Sequence, residues 1–200
     1  FGFTGPLESI TPAMAQAAEM AIAEVNESGQ FSLGTVTSVR GDDGCIDSGL
    51  AVATAERLVT SDRVLGIVGA DCSGVTGAIL QNVARPNGVV MISPSATSPA
   101  LSTAEDDGLF FRTAPSDARQ GQVVADILSD RGVTSIAISY TNNDYGAGLA
   151  DSIQAAFTAA GGTVTMSASH EDGKADYSAE VGALAAAGGE VLVVAGYVDQ

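Results

Sequence analysis

Short β-branched runs alternate with longer segments of helical period along most of this chain. Seven runs have the character of strands, at residues 1–3, 35–40, 64–68, 89–93, 135–140, 163–168 and 191–195. Segments of helical pattern lie between most of them, at residues 11–27, 47–60, 74–85, 118–130, 145–160 and 175–187. Such an alternation is typical of parallel sheets covered by helices. The pattern therefore predicts an α/β fold.

The alternation is interrupted once, between Pro94 and Pro115. This stretch holds one short apolar run, residues 109–112, and no segment of helical period. We interpret it as a crossing between two lobes, and the alternative is a single doubly wound sheet. The first predicted lobe comprises residues 1–113, and the second comprises residues 117–200. Residues 114–116 form the predicted hinge crossing between them. Both ends of the sequence read as interrupted next to a strand, so we expect both lobes to be incomplete.

An acidic composition excludes several classes of partner. The chain has 24 Asp and Glu against 8 Lys and Arg, a net charge of -16 at pH 7. Such a surface repels phosphate backbones and anionic lipids, so we expect no nucleic acid partner. We interpret the acidity as a property of a solvated surface. No stretch has the roughly 20 consecutive apolar residues of a membrane-spanning helix.

The only two cysteines follow two predicted strands, Cys45 in GDDGC and Cys72 in GADCSG. These matching positions at one edge of a sheet favour a disulfide and an exported protein, whereas reduced buried thiols are the alternative. A bond between Cys45 and Cys72 would join two loops at the edge where parallel sheets bind ligands.

Two hydroxyl-bearing loops lie at that same edge. Ser73 is predicted at the N-cap of the following helix, where a hydroxyl and free backbone N–H groups suit a carboxylate. Capping of its own helix is the alternative role. Ser95, Ala96 and Thr97 supply hydroxyl and backbone groups from the next loop. Together the loops could hold a small zwitterion.

Two tyrosines occupy the equivalent edge of the second predicted lobe. Tyr145 begins a helix in NNDYG, and Tyr197 follows the last predicted strand. An aromatic ring at either position could cover a ligand, and packing against a helix start is the alternative.

The sequence carries no convincing catalytic or metal-binding pattern. A nucleophile elbow at Ser73 would need glycines where Asp71 and Val75 stand. His170 lies in a polar run and is interpreted as a solvated loop residue. Three aspartates near the first cysteine are interpreted as solvent-facing rather than metal-binding: Asp42, Asp43 and Asp47. We therefore expect a protein that is not an enzyme and has no metal or cofactor.

The order of several motifs resembles the type I periplasmic substrate-binding proteins of ABC transporters, in particular the branched-chain amino acid (Leu/Ile/Val) group. The motifs are GFTGPL, AAEMAIAEVN, GDDGC, GADCSGVTGA, VVMISPSATSPAL, FFRTAPSD, NNDYGAGLA, DYSAEVGAL and VLVVAGY. The resemblance implies two Rossmann-like lobes with parallel sheets flanked by helices, and a ligand clamped between them.

The same resemblance implies roles for individual residues. Ser73, Ser95, Ala96 and Thr97 would bind the ligand's α-carboxylate and ammonium groups, and Tyr145 and Tyr197 would cover it. Ile10 stands where an aromatic residue often lines the side-chain pocket, and the family disulfide corresponds to Cys45 and Cys72. The acidic residue that pairs with the ammonium group would lie beyond Gln200.

We therefore expect a monomeric, periplasmic or extracellular solute-binding component of an ABC importer, with or without a lipid anchor. Its ligand would be a small aliphatic amino acid or a related carboxylate, which it would deliver to a membrane permease. The alternatives are a ligand-sensing domain of a receptor and an α/β hydrolase or transferase that acts through Ser73.

Overall fold

The structure, a computed structural model, describes residues 1–197 and divides into two compact units. The first unit comprises Phe1–Ala96 and Glu105–Ala114. The second comprises Thr97–Ala104 and the chain from Pro115 onward. The chain thus passes from one unit to the other after residues 96, 104 and 114.

The first unit contains a three-stranded parallel sheet and four α-helices. The strands are β1 (Gly66–Val68), β2 (Val90–Ser93) and β3 (Phe110–Arg112), in the order β1-β2-β3. The helices are α1 (Thr11–Ser28), α2 (Ser48–Thr60), α3 (Ser73–Ile79) and α4 (Arg85–Asn87). A π-helical turn, Leu80–Ala84, connects α3 to α4.

The second unit repeats this design with a second three-stranded parallel sheet. Its strands are β4 (Ser135–Thr141), β5 (Thr163–His170) and β6 (Val191–Ala195), in the order β5-β4-β6. Its helices are α5 (Asp117–Asp130), α6 (Asp144–Ala159) and α7 (Ser178–Ala187), and a 3₁₀ turn spans Pro99–Ser102. Two parallel sheets flanked by helices confirm the predicted α/β class.

The 3₁₀ turn belongs to the second unit because it packs against α6. A Cβ on Gly148 would lie 2.9 Å from Cδ of Pro99, so only glycine allows this approach. The sequence-based boundary at residue 113 assigned this segment to the first lobe. The crossings at 96 and 104 had no sequence signal, since the segment between them has neither strand nor helix periodicity.

Two predicted strands do not form within the described residues, at 1–3 and 35–40. A strand needs a neighbour for its backbone groups, and the 35–40 segment has a different partner. The side-chain amide of Asn26 accepts from the Val36 N–H at 2.9 Å and donates to the Val36 carbonyl at 2.9 Å. Conversely, the apolar run at 109–112 supplies β3, which pairs Met91 with Phe110.

Each unit has its own core. In the first unit, the core contains Met91 of the sheet and apolar residues of α3 and of the π-helical turn after it. These helical residues are Val75, Ile79, Leu80 and Val83. In the second, Phe157 is the largest fully buried side chain, and it packs with residues of α6 and β4. Gly121 lets α5 approach α6, because a Cβ there would lie 2.6 Å from the Ser152 carbonyl carbon.

Among the described residues, no helix has the length and apolar character needed to cross a bilayer.

Candidate functional site

A disulfide joins Cys45 to Cys72 at the edge of the first unit where β1 ends. Both cysteines are buried, and they are 27 residues apart in the sequence. Cys72 also occupies the N-cap position of α3, so the bond fixes the loop that leads into this helix. The structure thus confirms the pairing that the sequence predicted.

Asp71, next to the disulfide, connects two of the loops at this edge. Its side chain is only 2% exposed. Its Oδ2 accepts hydrogen bonds from the Gly2 N–H and from the Thr11 hydroxyl, both at 2.9 Å. Helix α1 begins at Thr11, whose hydroxyl is thus held by Asp71, and Ile10 occupies the N-cap position.

Two serine hydroxyls then tie the loop after β2 to the loop after β1. The Ser93 hydroxyl donates to the Ala70 carbonyl and accepts from the Ala96 N–H at 2.9 Å. The Ser95 hydroxyl donates to the Asp71 carbonyl at 2.8 Å. The Ala96 carbonyl accepts from the Arg112 guanidinium at 3.3 Å. These bonds hold the two hydroxyl-bearing loops side by side.

The first unit therefore brings four of the predicted site residues to one edge. Ser95 and Ala96 lie in the fixed loop, and Ser73 follows the disulfide. Helix α3 begins at Ser73, one residue before the predicted start, and Ser73 is buried. Ile10 precedes the Thr11 that binds Asp71, and its side chain is 49% exposed.

The three aspartates near Cys45 have structural roles. Asp42 accepts from the Thr4 hydroxyl at 2.8 Å, and Asp47 caps α2 through the Leu50 N–H at 2.9 Å. Asp43, expected to face solvent, is buried, and its Oδ1 accepts from the Cys45 N–H at 2.9 Å. Within residues 1–197, no group of three or more His, Cys, Asp or Glu side chains is placed to hold a metal ion.

Burial raises the pKa of Asp43 to about 6, and the negative charge of neighbouring Asp71 acts in the same direction. The Cys45 N–H, which donates to Oδ1 of Asp43, partly opposes this rise in the pKa. The folded-state pKa therefore lies above the unfolded value of about 3.9. Protonated Asp43 favours the folded unit below about pH 4, and this stabilisation is lost as the pH rises through about 6.

We accordingly expect the first unit to lose roughly 2 kcal/mol of unfolding free energy from this group between pH 4 and pH 7. Denaturant unfolding across that range, compared with Asp43→Asn, measures the contribution. The amide does not titrate, so the variant should show a flatter pH profile. Parallel profiles for the two proteins would contradict this assignment.

The second unit brings Tyr145 and Tyr197 together. Their ring centroids are 5.3 Å apart and their planes are inclined by 30°. Asn143 positions both: its Oδ1 caps α6 by accepting from the N–H groups of Tyr145 and Gly146, and its Nδ2 donates to the Tyr197 hydroxyl at 3.3 Å. Gly146 permits this geometry, because a Cβ there would lie 2.1 Å from the Thr141 carbonyl oxygen.

Thr97 lies in the same unit and contacts a buried acidic residue, Asp117. The Thr97 hydroxyl donates to Oδ2 of Asp117 at 2.8 Å, and the Asp117 N–H donates to the Thr97 carbonyl at 2.9 Å. Burial raises the pKa of Tyr145, and the nearby Asp117 carboxylate raises it further. The sequence analysis did not single out Asp117, which had the pattern of an ordinary acidic residue in a first helical turn.

His170 ends β5 and is not a solvated loop residue. Its Nδ1 lies 2.8 Å from the Ser139 hydroxyl on β4, and its Nε2 lies 3.8 Å from Oδ1 of Asp172. Asp172 in turn accepts from the Thr141 hydroxyl. These contacts tie the ends of β4 and β5 together, close to the start of α6.

The chain matches the family described as periplasmic binding protein over residues 1–200. It is 32% identical to the Leu/Ile/Val-binding protein homolog 3 of Brucella melitensis over 195 residues, which cover 97% of this chain and 52% of that protein. It is also 32% identical to a leucine-, isoleucine-, valine-, threonine- and alanine-binding protein of Pseudomonas aeruginosa, covering 97% and 51% of the two chains. The chain thus spans about half the length of these curated relatives.

Two solved structures of substrate-binding proteins also have a fold similar to that of this chain. A branched-chain amino acid transporter substrate-binding protein, LivJ of Streptococcus pneumoniae in complex with isoleucine, matches with a TM-score of 0.82 and 26% identity, covering 97% of this chain and 54% of that one. An ABC transporter substrate-binding protein of Desulfitobacterium hafniense in complex with Leu matches with a TM-score of 0.73 and 25% identity, covering 96% and 56%.

The molecule has parallel α/β units, and a disulfide joins two of its loops near the strand ends. This is the fold of a type I periplasmic binding protein. The chain belongs to the periplasmic binding protein family. This is a family of solute-binding proteins and not of enzymes, in agreement with the sequence analysis.

Proposed function

We propose that the protein carrying this chain is the extracytoplasmic solute-binding component of an ABC importer and binds an aliphatic amino acid. The observation that carries the proposal is that hydrogen bonds hold two loops of the first unit together. One is the loop after β1, which leads to Ser73, and the other is the loop after β2, which contains Ser95 and Ala96. Ligands of open parallel sheets bind beyond the carboxyl ends of the strands, which is where these loops lie. The relatives named for leucine, isoleucine and valine binding support the choice of ligand.

Each group of the ligand has suitable partners among the predicted residues. Ser73 offers its hydroxyl and the first backbone N–H groups of α3 to a carboxylate, and the loop of Ser95 and Ala96 supplies further polar groups. Ile10 offers an apolar surface to an aliphatic side chain. Tyr145 and Tyr197, stacked in the second unit, offer ring faces that exclude water from a small ligand.

The remaining parts of this proposal follow from the family. The protein acts in the periplasm or at the cell exterior as a monomer, with or without a lipid anchor, and passes its ligand to a membrane permease. The closing of two lobes on the ligand stays a prediction from the resemblance. No cofactor is needed for a protein that only captures and releases its ligand.

We expect calorimetry on the full-length protein to show micromolar or tighter binding of L-leucine, L-isoleucine or L-valine. Ser73→Ala and Thr97→Ala should each weaken binding about tenfold, because each removes one hydrogen-bonding group from a buried ligand. Ser129→Ala and Thr158→Ala are matched controls, since both hydroxyls lie on exposed helix faces of α5 and α6. The absence of heat with any amino acid or small carboxylate would overturn the proposal.

A further inference from the structure

The ring of His170 lies between a serine hydroxyl and a carboxylate of the second unit. Its Nδ1 is 2.8 Å from the Ser139 hydroxyl, and its Nε2 is 3.8 Å from Oδ1 of Asp172. The side chains of His170 and Asp172 are 13% and 11% exposed. Oδ1 of Asp172 is itself buried and has no hydrogen-bond partner among the described residues. An N–H donated from Nε2 of the imidazole would give this oxygen the partner that it lacks.

Other titratable groups near His170 are Glu171, Tyr177 and Lys174. Glu171 is the next residue in the sequence, and its side chain is exposed. The Tyr177 ring, which precedes α7, meets the imidazole edge-on with centroids 6.1 Å apart, and Nζ of Lys174 lies 5.8 Å from the centre of the tyrosine ring. The facing group on β4 is a neutral hydroxyl. Within residues 1–197, the imidazole lies within ion-pair distance of one carboxylate, that of Asp172.

A chain of hydrogen bonds connects Asp172 to the two stacked tyrosines. The Thr141 hydroxyl donates its proton to Oδ2 of Asp172, and its oxygen accepts from Nδ2 of Asn143 at 3.3 Å. The same Nδ2 donates to the Tyr197 hydroxyl at 3.3 Å, while Oδ1 of this amide accepts from the Tyr145 N–H at 3.1 Å. A contact that fixes the Asp172 carboxylate therefore also fixes the amide that positions both rings.

The charge of His170 decides how firmly this chain is anchored. Histidine is the side chain that ordinarily changes its charge between about pH 5 and pH 8. The neutral ring has one N–H, whereas the protonated ring donates from both nitrogens, to Ser139 from Nδ1 and to Asp172 from Nε2. A charge-assisted hydrogen bond is roughly twice as strong as one between neutral groups. Protonation thus fixes the carboxylate at which the chain begins.

We propose that protonation of His170 strengthens ligand binding, because it fixes the hydrogen-bond chain that positions Tyr145 and Tyr197. The proposal rests on the proposed function and adds regulation by pH to the same site. A better-anchored Asn143 amide lowers the entropic cost of ordering the two rings over a ligand. Two bonds of the chain are 3.3 Å long, so we expect a coupling at the lower end of the usual range, about fivefold in affinity.

The test is calorimetry with L-leucine on the full-length protein at about pH 8 and about pH 5.5. The wild-type protein should bind leucine about fivefold more tightly at the lower pH. His170→Gln, whose amide does not take up a proton, should match the wild type at pH 8 and change less than about twofold between the two pH values. Asp43 of the first unit also titrates in this range, but it is present in both proteins, so the difference between them isolates His170.

Two further variants distinguish the hydrogen-bond chain from a general effect of charge. Asp172→Asn keeps an acceptor for Thr141 but removes the carboxylate, whereas Thr141→Val keeps the ion pair and interrupts the chain to Asn143. Both should lose the pH dependence. Glu171→Gln, which removes an equal charge from the exposed neighbour of His170, should keep it. Since three variants interrupt the chain at different points, the result does not depend on the folding of any single one.

An equal pH dependence in the wild type and in His170→Gln would overturn the proposal while leaving the proposed function in place. The same conclusion would follow from a wild-type affinity that is unchanged between the two pH values or weaker at the lower one. A full pH dependence in Thr141→Val, or its loss in Glu171→Gln, would show that charge acts without the chain and would also overturn the proposal. A wild-type protein that binds no amino acid at either pH would overturn both.

Discussion

Removing the disulfide with Cys45→Ala and Cys72→Ala is expected to destabilise the first unit by about 3.5 kcal/mol, because the bond closes a loop over a sequence separation of 27 residues. The crosslink restricts the unfolded chain, and its loss returns that conformational entropy. Both cysteines lie in the first unit, so the second unit should keep its own stability. Guanidinium unfolding of the oxidised protein and of the double variant measures the difference.

Reduction of the disulfide with dithiothreitol is the control for this prediction. Dithiothreitol should lower the unfolding midpoint of the wild-type protein toward that of the double variant, and should leave the double variant unchanged. The bond also holds Cys72 at the N-cap of α3, next to Asp71 and Ser73. Reduction should therefore weaken leucine binding together with stability. A loss of unfolding free energy below about 1 kcal/mol would contradict the assigned role of the bond.

Phe157→Ala is expected to destabilise the second unit by about 4 kcal/mol, because the truncation leaves a cavity in a closed core. The ring is 1% exposed and packs within the cluster formed by α5, α6 and the second sheet. Gly162 lies against it so closely that a Cβ there would come within 2.3 Å of ring carbon Cε1. The surrounding backbone has little room to collapse into the space. Chemical denaturation followed by far-UV circular dichroism measures the loss.

Phe157→Leu is the matched variant, since leucine keeps most of the apolar contact. It should cost about 1 kcal/mol, within the usual range for a swap of similar volume. The disulfide loop lies in the other unit, so reduction and Phe157→Ala should act additively. Equal losses for the alanine and leucine variants would show that cavity formation is not the cause.

The helices and most strands were predictable because their apolar periodicity is local. The start of α6 illustrates this: NNDYG places a capping asparagine before the helix and a glycine where the chain passes Thr141. The strand predicted at 35–40 failed for the opposite reason. Its β-branched residues have strand propensity, but a strand also requires a neighbour, and the Asn26 side chain binds Val36 instead.

The sequence analysis did not predict the two buried aspartates of the candidate site, Asp71 and Asp117, which accept hydrogen bonds from its loops. Asp71 was noted only as a residue that disrupts a nucleophile elbow, yet it accepts from Thr11, 60 positions away in the sequence. Asp117 receives the Thr97 hydroxyl from 20 positions away. Neither contact has a local pattern, since both arise from the way in which loops meet at the strand ends. His170 was interpreted as a loop residue because the predicted strand ended at residue 168, whereas β5 extends to His170.

The disulfide has a topological consequence as well as an energetic one. Helix α2 and strand β1 both lie between Cys45 and Cys72, so they form part of a covalently closed ring within the polypeptide. A single peptide-bond cleavage anywhere between residues 46 and 71 leaves the two fragments linked through sulfur. A protease that nicks an exposed turn there, such as the one after α2, cannot release the Ser73 loop from the N-terminal segment until the bond is reduced.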